Sequence, residues 1–143
     1  MYALFAHALA PLYRGDLDLA AERLSEALNQ APGEPLVHSL QAIVHAAQNQ
    51  TELALDCIRK ALDSPSSFGH THHAYNNIAC AYAVLGQTDK ALGWLQRSID
   101  TGFACWPFFR IDPYLKNLRE EPRFIQLNAD LEQKYTALEI ERL

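Results

Sequence analysis

Gly15-Asp-Leu-Asp-Leu-Ala20-Ala-Glu-Arg-Leu24-Ser-Glu-Ala27-Leu28, Asn49-Gln-Thr-Glu-Leu-Ala54-Leu-Asp-Cys-Ile58-Arg-Lys-Ala61-Leu62 and Gly86-Gln-Thr-Asp-Lys-Ala91-Leu-Gly-Trp-Leu95-Gln-Arg-Ser98-Ile99 are three versions of one pattern. From Gly15 to Asn49 is 34 residues and from Asn49 to Gly86 is 37. Each version opens on Gly or Asn, which tolerate the left-handed backbone that a helix stop requires. Asp16 and Thr88 are natural N-caps for the helix that follows. Ala20, Ala54 and Ala91 are small, and four residues on Leu24, Ile58 and Leu95 are large. Three further on, Ala27, Ala61 and Ser98 are small again. A small–large–small stripe at i, i+4, i+7 lies on one helix face and forms a packing seam.

Working outward, the segments between these helices read as their partners. Tyr75, Ile78, Ala79 and Tyr82 carry aromatics at both ends of a face and an alanine at its close-contact point. Leu36, Val37, Leu40, Ile43, Val44 and Ala47 make an apolar helical face of their own. Strict alignment of this second unit puts His38, Gln41 and His45 at packing positions, and a turn one residue longer before Thr51 is the expected repair. In the first unit Pro11 falls late in the helix, where it is expected to kink or end it. Pro32 and Pro65 follow the first two patterned helices, and Phe103 takes that place after the third.

The tail reads as a cap. Asp112 can N-cap a short helix with Pro113 at its first position. A longer helix starts at Pro122 and runs toward Glu141, with Phe124, Leu127, Leu131, Tyr135 and Leu138 on its apolar side. Gln126, Asp130, Glu132, Lys134 and Glu139 lie opposite. A stack of helix pairs needs a terminal element that is apolar inside and polar outside. A docking helix for another domain is the alternative. The aromatic run Phe103-Ala-Cys-Trp106-Pro-Phe108-Phe109 is expected to pack between the third unit and this cap.

Composition narrows the function classes. The chain has 143 residues, 49% hydrophobic and 20% charged, which is globular and long enough to bury roughly 68–70% of its unfolded surface. A net charge of −5 leaves no basic excess for a phosphate backbone or an anionic bilayer, so neither nucleic acid nor membrane is an expected partner. Cys57, Cys80 and Cys105 form no CxxC pair, which argues against a disulfide framework or a thiolate zinc site. The apolar opening Met1–Ala10 lacks a basic flank and is too short to span a bilayer. A buried helix and a cytoplasmic location are the expectation.

The period, the Ala-x3-large-x2-Ala stripe, the proline after it and Tyr75-x2-Ile78-Ala79-x2-Tyr82 together resemble the tetratricopeptide repeat. The resemblance covers about residues 2–104. Gly69-His-Thr-His-His-Ala-Tyr-Asn-Asn-Ile-Ala-Cys-Ala-Tyr82-Ala-Val-Leu-Gly86, with Gly102-Phe103, Asp112-Pro-Tyr-Leu115, Leu118-Arg119 and Pro122-Arg-Phe124, further resembles the closing segment of such arrays in bacterial signalling proteins. These include serine/threonine kinases, adenylate-cyclase-like proteins and winged-helix regulators. The chain itself carries no GxGxxG and no basic recognition helix. The resemblance implies an all-α fold: a right-handed α-solenoid of three antiparallel helix pairs, about 2–34, 35–68 and 70–104, closed by C-terminal capping helices in 105–143.

It also implies a non-catalytic protein-interaction module whose first helices line a concave groove. The groove residues on that basis are Tyr2, Phe5, Leu9 and Tyr13, then Leu36, Ser39, Leu40, Ile43 and Ala47, then His73, Asn76, Asn77, Cys80 and Val84. These first helices lack the lysines and arginine of a carboxylate clamp, so the expected ligand is an apolar peptide or helix of a partner. Asn76 and Asn77 would act as polar guides. The alternative is self-association through the first helix or the tail.

A third reading makes the chain a small histidine-dependent metal protein or hydrolase. On a helix His70 and His73 share a face while His72 points elsewhere. Cys80, seven residues past His73, lies about 10 Å along the axis, too far for one ion. Cys57 and Cys80 sit mid-helix, where a thiol behaves as a small hydrophobe. Neither a metal, a cofactor nor a catalytic residue is therefore expected.

Overall fold

A computed structural model describes residues 2–63 and 71–140, with the side chains of residues 5–63 and 71–137. Among the described residues all regular structure is helical. Three pairs come first: α1 (Tyr2–Arg14) and α2 (Leu17–Gln30), α3 (Pro35–Ala47) and α4 (Thr51–Asp63), α5 (Thr71–Val84) and α6 (Thr88–Asp100). A short α7 (Trp106–Ile111), a 3-10 segment (Pro113–Leu118) and α8 (Pro122–Ile140) follow. Helices adjacent in a pair pack together, and α3 packs extensively on α5 and also on α2. The 3-10 segment lies on α5, and α7 packs against it and against α8.

The turns inside the pairs share one geometry. Gly15, Asn49 and Gly86 have φ of 81°, 60° and 71°, the left-handed region. At each, two reversed hydrogen bonds close the helix: Gly15 N–H to the Leu12 carbonyl with Asp16 N–H to Pro11, Asn49 to Ala46 with Gln50 to His45, Gly86 to Ala83 with Gln87 to Tyr82. This is the Schellman arrangement, which satisfies carbonyls that a helix end would orphan. Because the second turn matches the third, the longer turn expected before Thr51 is not present. His38 stays in strict register and is buried, its Nε2 2.8 Å from the Pro32 carbonyl.

Two local expectations change. Thr88 is the first residue of α6 and not its cap; Gln87 holds that place without a side-chain bond. The residue after the left-handed one is the cap in this register, and at the same place in the first unit Asp16 does accept from Leu19 N–H at 3.2 Å. Pro11 does not end α1, which runs on to Arg14. The proline removes the bond to the carbonyl four residues back and crowds it, and α1 carries this through to its stop at Arg14.

The seam is buried throughout. Ala20, Ala54, Ala91, Leu24, Ile58, Leu95, Ala27, Ala61 and Ser98 all lie in the interior. Ser98, where the other units have alanine, turns its hydroxyl to the His72 carbonyl at 2.7 Å. The seam's counterpart on the facing helices is Ala8, Ala42 and Ala79, each seven residues before its turn glycine or asparagine and each fully buried. Close approach of two backbones needs small residues on both sides, and here both sides supply them.

The aromatic run packs as expected. Phe109 is fully buried, and Phe103 meets it at 5.7 Å between ring centroids and Phe108 at 6.2 Å. In α8, Phe124 and Leu131 are buried and Leu127 is half-buried, but Tyr135 is exposed. Among the described side chains of α8, the buried ones lie between Phe124 and Leu131. Arg110 to Glu132 at 2.6 Å and Arg123 to Asp89 at 2.9 Å tie this helix to α7 and α6. Pro65, His70 and the side chains of Tyr2 and Leu138 lie outside the described residues.

Candidate functional site

The equivalent positions on α1, α3 and α5 do not present one continuous open face. Phe5 and Leu9 are half-buried, whereas Ser39, Leu40 and Ile43 on α3 and Asn76, Asn77 and Cys80 on α5 are buried. Asn77 Nδ2 donates to Ser39 Oγ at 3.0 Å, and that hydroxyl donates to the Leu36 carbonyl at 2.8 Å. The two residues thus join α5 to α3. Asn76 Nδ2 points to Cys80 Sγ at 3.9 Å along the same helix. A ligand cannot reach this layer without displacing protein. His73 is half-exposed at the start of α5, its ring 4.5 Å from His72 and 4.8 Å from Phe103.

At Cys80 the layer is covered by the chain's own tail. Asp112 is fully buried between α1 and α5. Its Oδ2 accepts from Tyr13 OH at 3.1 Å and from Cys80 Sγ at 3.6 Å, and its Oδ1 accepts from Tyr114 N–H at 2.9 Å. Tyr114 OH donates to the Leu12 carbonyl at 2.6 Å, and Asn117 Nδ2 to the Ala83 carbonyl at 3.1 Å. Leu12 and Ala83 are matching positions, each three residues before its turn glycine. The 3-10 segment therefore bridges the C-terminal ends of α1 and α5. Tyr13 also packs on Tyr114 and Phe108, with ring centroids 5.6 and 6.0 Å away.

The electrostatics follow from this burial. Removal from water raises the Asp112 carboxyl above its ordinary value, against the lowering effect of the hydrogen bonds it accepts and of Arg119. Burial, then the neighbouring Asp112, push Tyr13 and Cys80 well above their ordinary values and Tyr114 up to about 12. Cys80 is thus held as the thiol, the opposite of what a nucleophile needs. Among the described residues no three of His, Cys, Asp or Glu come together in a way that could hold a metal ion.

Beside the bridge an open cavity of 440 Å³ remains. Tyr13, Ala47 and Val84 line it, each two residues before its turn residue, so the three units contribute the same position. Leu12, Leu17 and Pro113 add apolar wall, and Arg14 and Lys116 border it. Three helices end here, and the partial negative charge of their C-termini is offset by these two cations. The cavity is apolar in its walls and close to neutral at its rim.

Tyr13, Ala47 and Val84, groove positions in the sequence reading, line this cavity; that reading missed Asp112, Tyr114 and Asn117, which build the bridge beside it. Asp112 was legible as a cap, and it does cap; its partners Tyr13 and Cys80 lie 99 and 32 residues away, beyond any local signal. No described helix is long and apolar enough to cross a membrane. Comparison with protein-family models, curated proteins and solved structures gives no match.

Proposed function

We propose that this chain is a non-catalytic interaction module of the tetratricopeptide type, its helix pairs stacked as a right-handed solenoid, that holds an apolar segment of a partner protein. The observation that carries this reading is the 440 Å³ cavity to which Tyr13, Ala47 and Val84, matching positions of all three units, converge. An apolar concavity with few polar groups suits a hydrophobic side chain and the backbone around it. The buried Asn77–Ser39 pair is then a strut, and the binding surface is smaller than the whole first-helix face. A scaffolding or regulatory role in a cytoplasmic bacterial signalling assembly fits such a surface, as do the free thiols Cys57, Cys80 and Cys105.

The test is selection of peptides from a displayed random library on the immobilised full chain, followed by fluorescence anisotropy. Selected peptides share an apolar anchor and bind at about micromolar Kd. Val84→Arg, which fills the cavity mouth, removes binding, while Leu53→Ser on α4 leaves it intact. Binding that survives Val84→Arg in a folded variant would sink the cavity as the site.

Self-association is the second reading, and one observation favours it. Ile111, Ile125 and Tyr135 are 72%, 55% and 38% exposed, all on the last two helices. Sedimentation equilibrium separates the two readings: a dimer lost with Ile111→Ser and Ile125→Ser supports self-association, and a monomer at all concentrations excludes it.

A further inference from the structure

Asp112 stands out among the described side chains. It is the only acidic residue in the buried interior, and no lysine or arginine contacts its carboxylate oxygens. The groups facing it are Tyr13 from α1, Cys80 from α5 and Tyr114 from its own segment, all weak acids. Arg119 is the one cation near it, and its guanidinium donates to the Asp112 backbone carbonyl at 3.2 Å. Burial without an ion pair disfavours the charged carboxylate, the three hydrogen bonds donated to it favour that form, and burial is the larger effect here.

We propose that Trp106–Leu118 is a proton-linked strap: docking of this segment across α1 and α5 takes up a proton at Asp112, so mild acid tightens the strap and alkali loosens it. The geometry supports a device confined to the strap. Its other ties, Tyr114 to the Leu12 carbonyl and Asn117 to the Ala83 carbonyl, are neutral and indifferent to pH in this range. Loosening would uncover Cys80 and the inner side of Tyr13, which the strap now covers. The direction follows from the carboxyl value being raised in the docked state. Stabilisation by the proton is complete below the ordinary carboxyl value of about 4, and it is lost as pH rises through the higher docked value.

Hydrogen exchange read by mass spectrometry on the full chain tests this, with each rate corrected to that of an unstructured peptide at the same pH. Protection of the 105–119 peptides should fall from about pH 4 to about pH 8, while α3 and α4 stay constant. Asp112→Asn keeps the shape and removes the charge, and its strap protection should be flat with pH. Tyr13→Phe removes a donor to the ionised form and should enlarge the fall, which keeps the test open if Asp112→Asn does not fold. A flat profile in the parent chain overturns the proposal. So does an equal fall in α3 and α4, an unchanged fall in Asp112→Asn, or a fall in Tyr13→Phe no larger than in the parent.

Discussion

At the scale of single residues, the turn positions carry the sharpest expectations. Gly86 has φ of 71° and nothing within 4 Å of where a Cβ would stand, so Gly86→Ala tests backbone strain alone. It should cost about 1–2 kcal/mol in urea unfolding. Asn49 sits in the same region at φ 60°, so Asn49→Gly should leave stability unchanged or raise it. The thiols divide equally clearly. Cys105 is exposed, and Cys57 and Cys80 are buried with their thiols pushed up chiefly by burial. A thiol reagent at neutral pH should titrate one equivalent at once and the other two far more slowly, Cys80 as the strap opens and Cys57 on unfolding; two fast equivalents would contradict the burial of α4 or α5. These residue roles were legible where the cause is local. Gly and Asn at a helix stop announce themselves, whereas the burial of Asn77 depends on Ser39, 38 positions earlier.

At the scale of elements, helix type and order were readable from the i, i+4, i+7 seam, because that spacing has meaning only on a helix. Cap positions were readable to within one residue. Gln87 occupies the place that Asp16 fills in the first unit but makes no side-chain bond. Gln87→Asp should therefore stabilise the chain by about 0.5–1 kcal/mol, and Thr88→Ala should change little, both measured by thermal unfolding. The last helix was readable as amphipathic but not in how far it docks. Its pattern continues through Tyr135, yet Leu131 is the last described position that is buried. Leu131→Ala should cost about 2–5 kcal/mol and Tyr135→Ser less than about 0.5. Equal losses at both positions would mean that the second half of α8 is also packed.

At the scale of the whole molecule, stacking of the pairs followed from the repeat, but the position of the tail did not. Nothing in a periodic pattern says that Pro113–Leu118 crosses from the third unit back to the first. That placement depends on Tyr13, Asp112 and Tyr114 meeting in space, and it joins positions about a hundred apart. An array held only by neighbour contacts can lose its end units one at a time. Here the first helix and the tail hold each other, so circular dichroism and the fluorescence of Trp94 and Trp106 should report one coincident unfolding transition. Separate midpoints would show that the bridge is weak.

The same bridge has a consequence for synthesis. Chains leave the ribosome from their N-terminus, and local helix pairs can form as they emerge. The first helix of this protein finds its last partners only after position 114 is free, and closing so long a loop is slow. The contacts of α1 are therefore completed only once Tyr114 has emerged, with Tyr13 and the end of α1 waiting uncovered in the meantime.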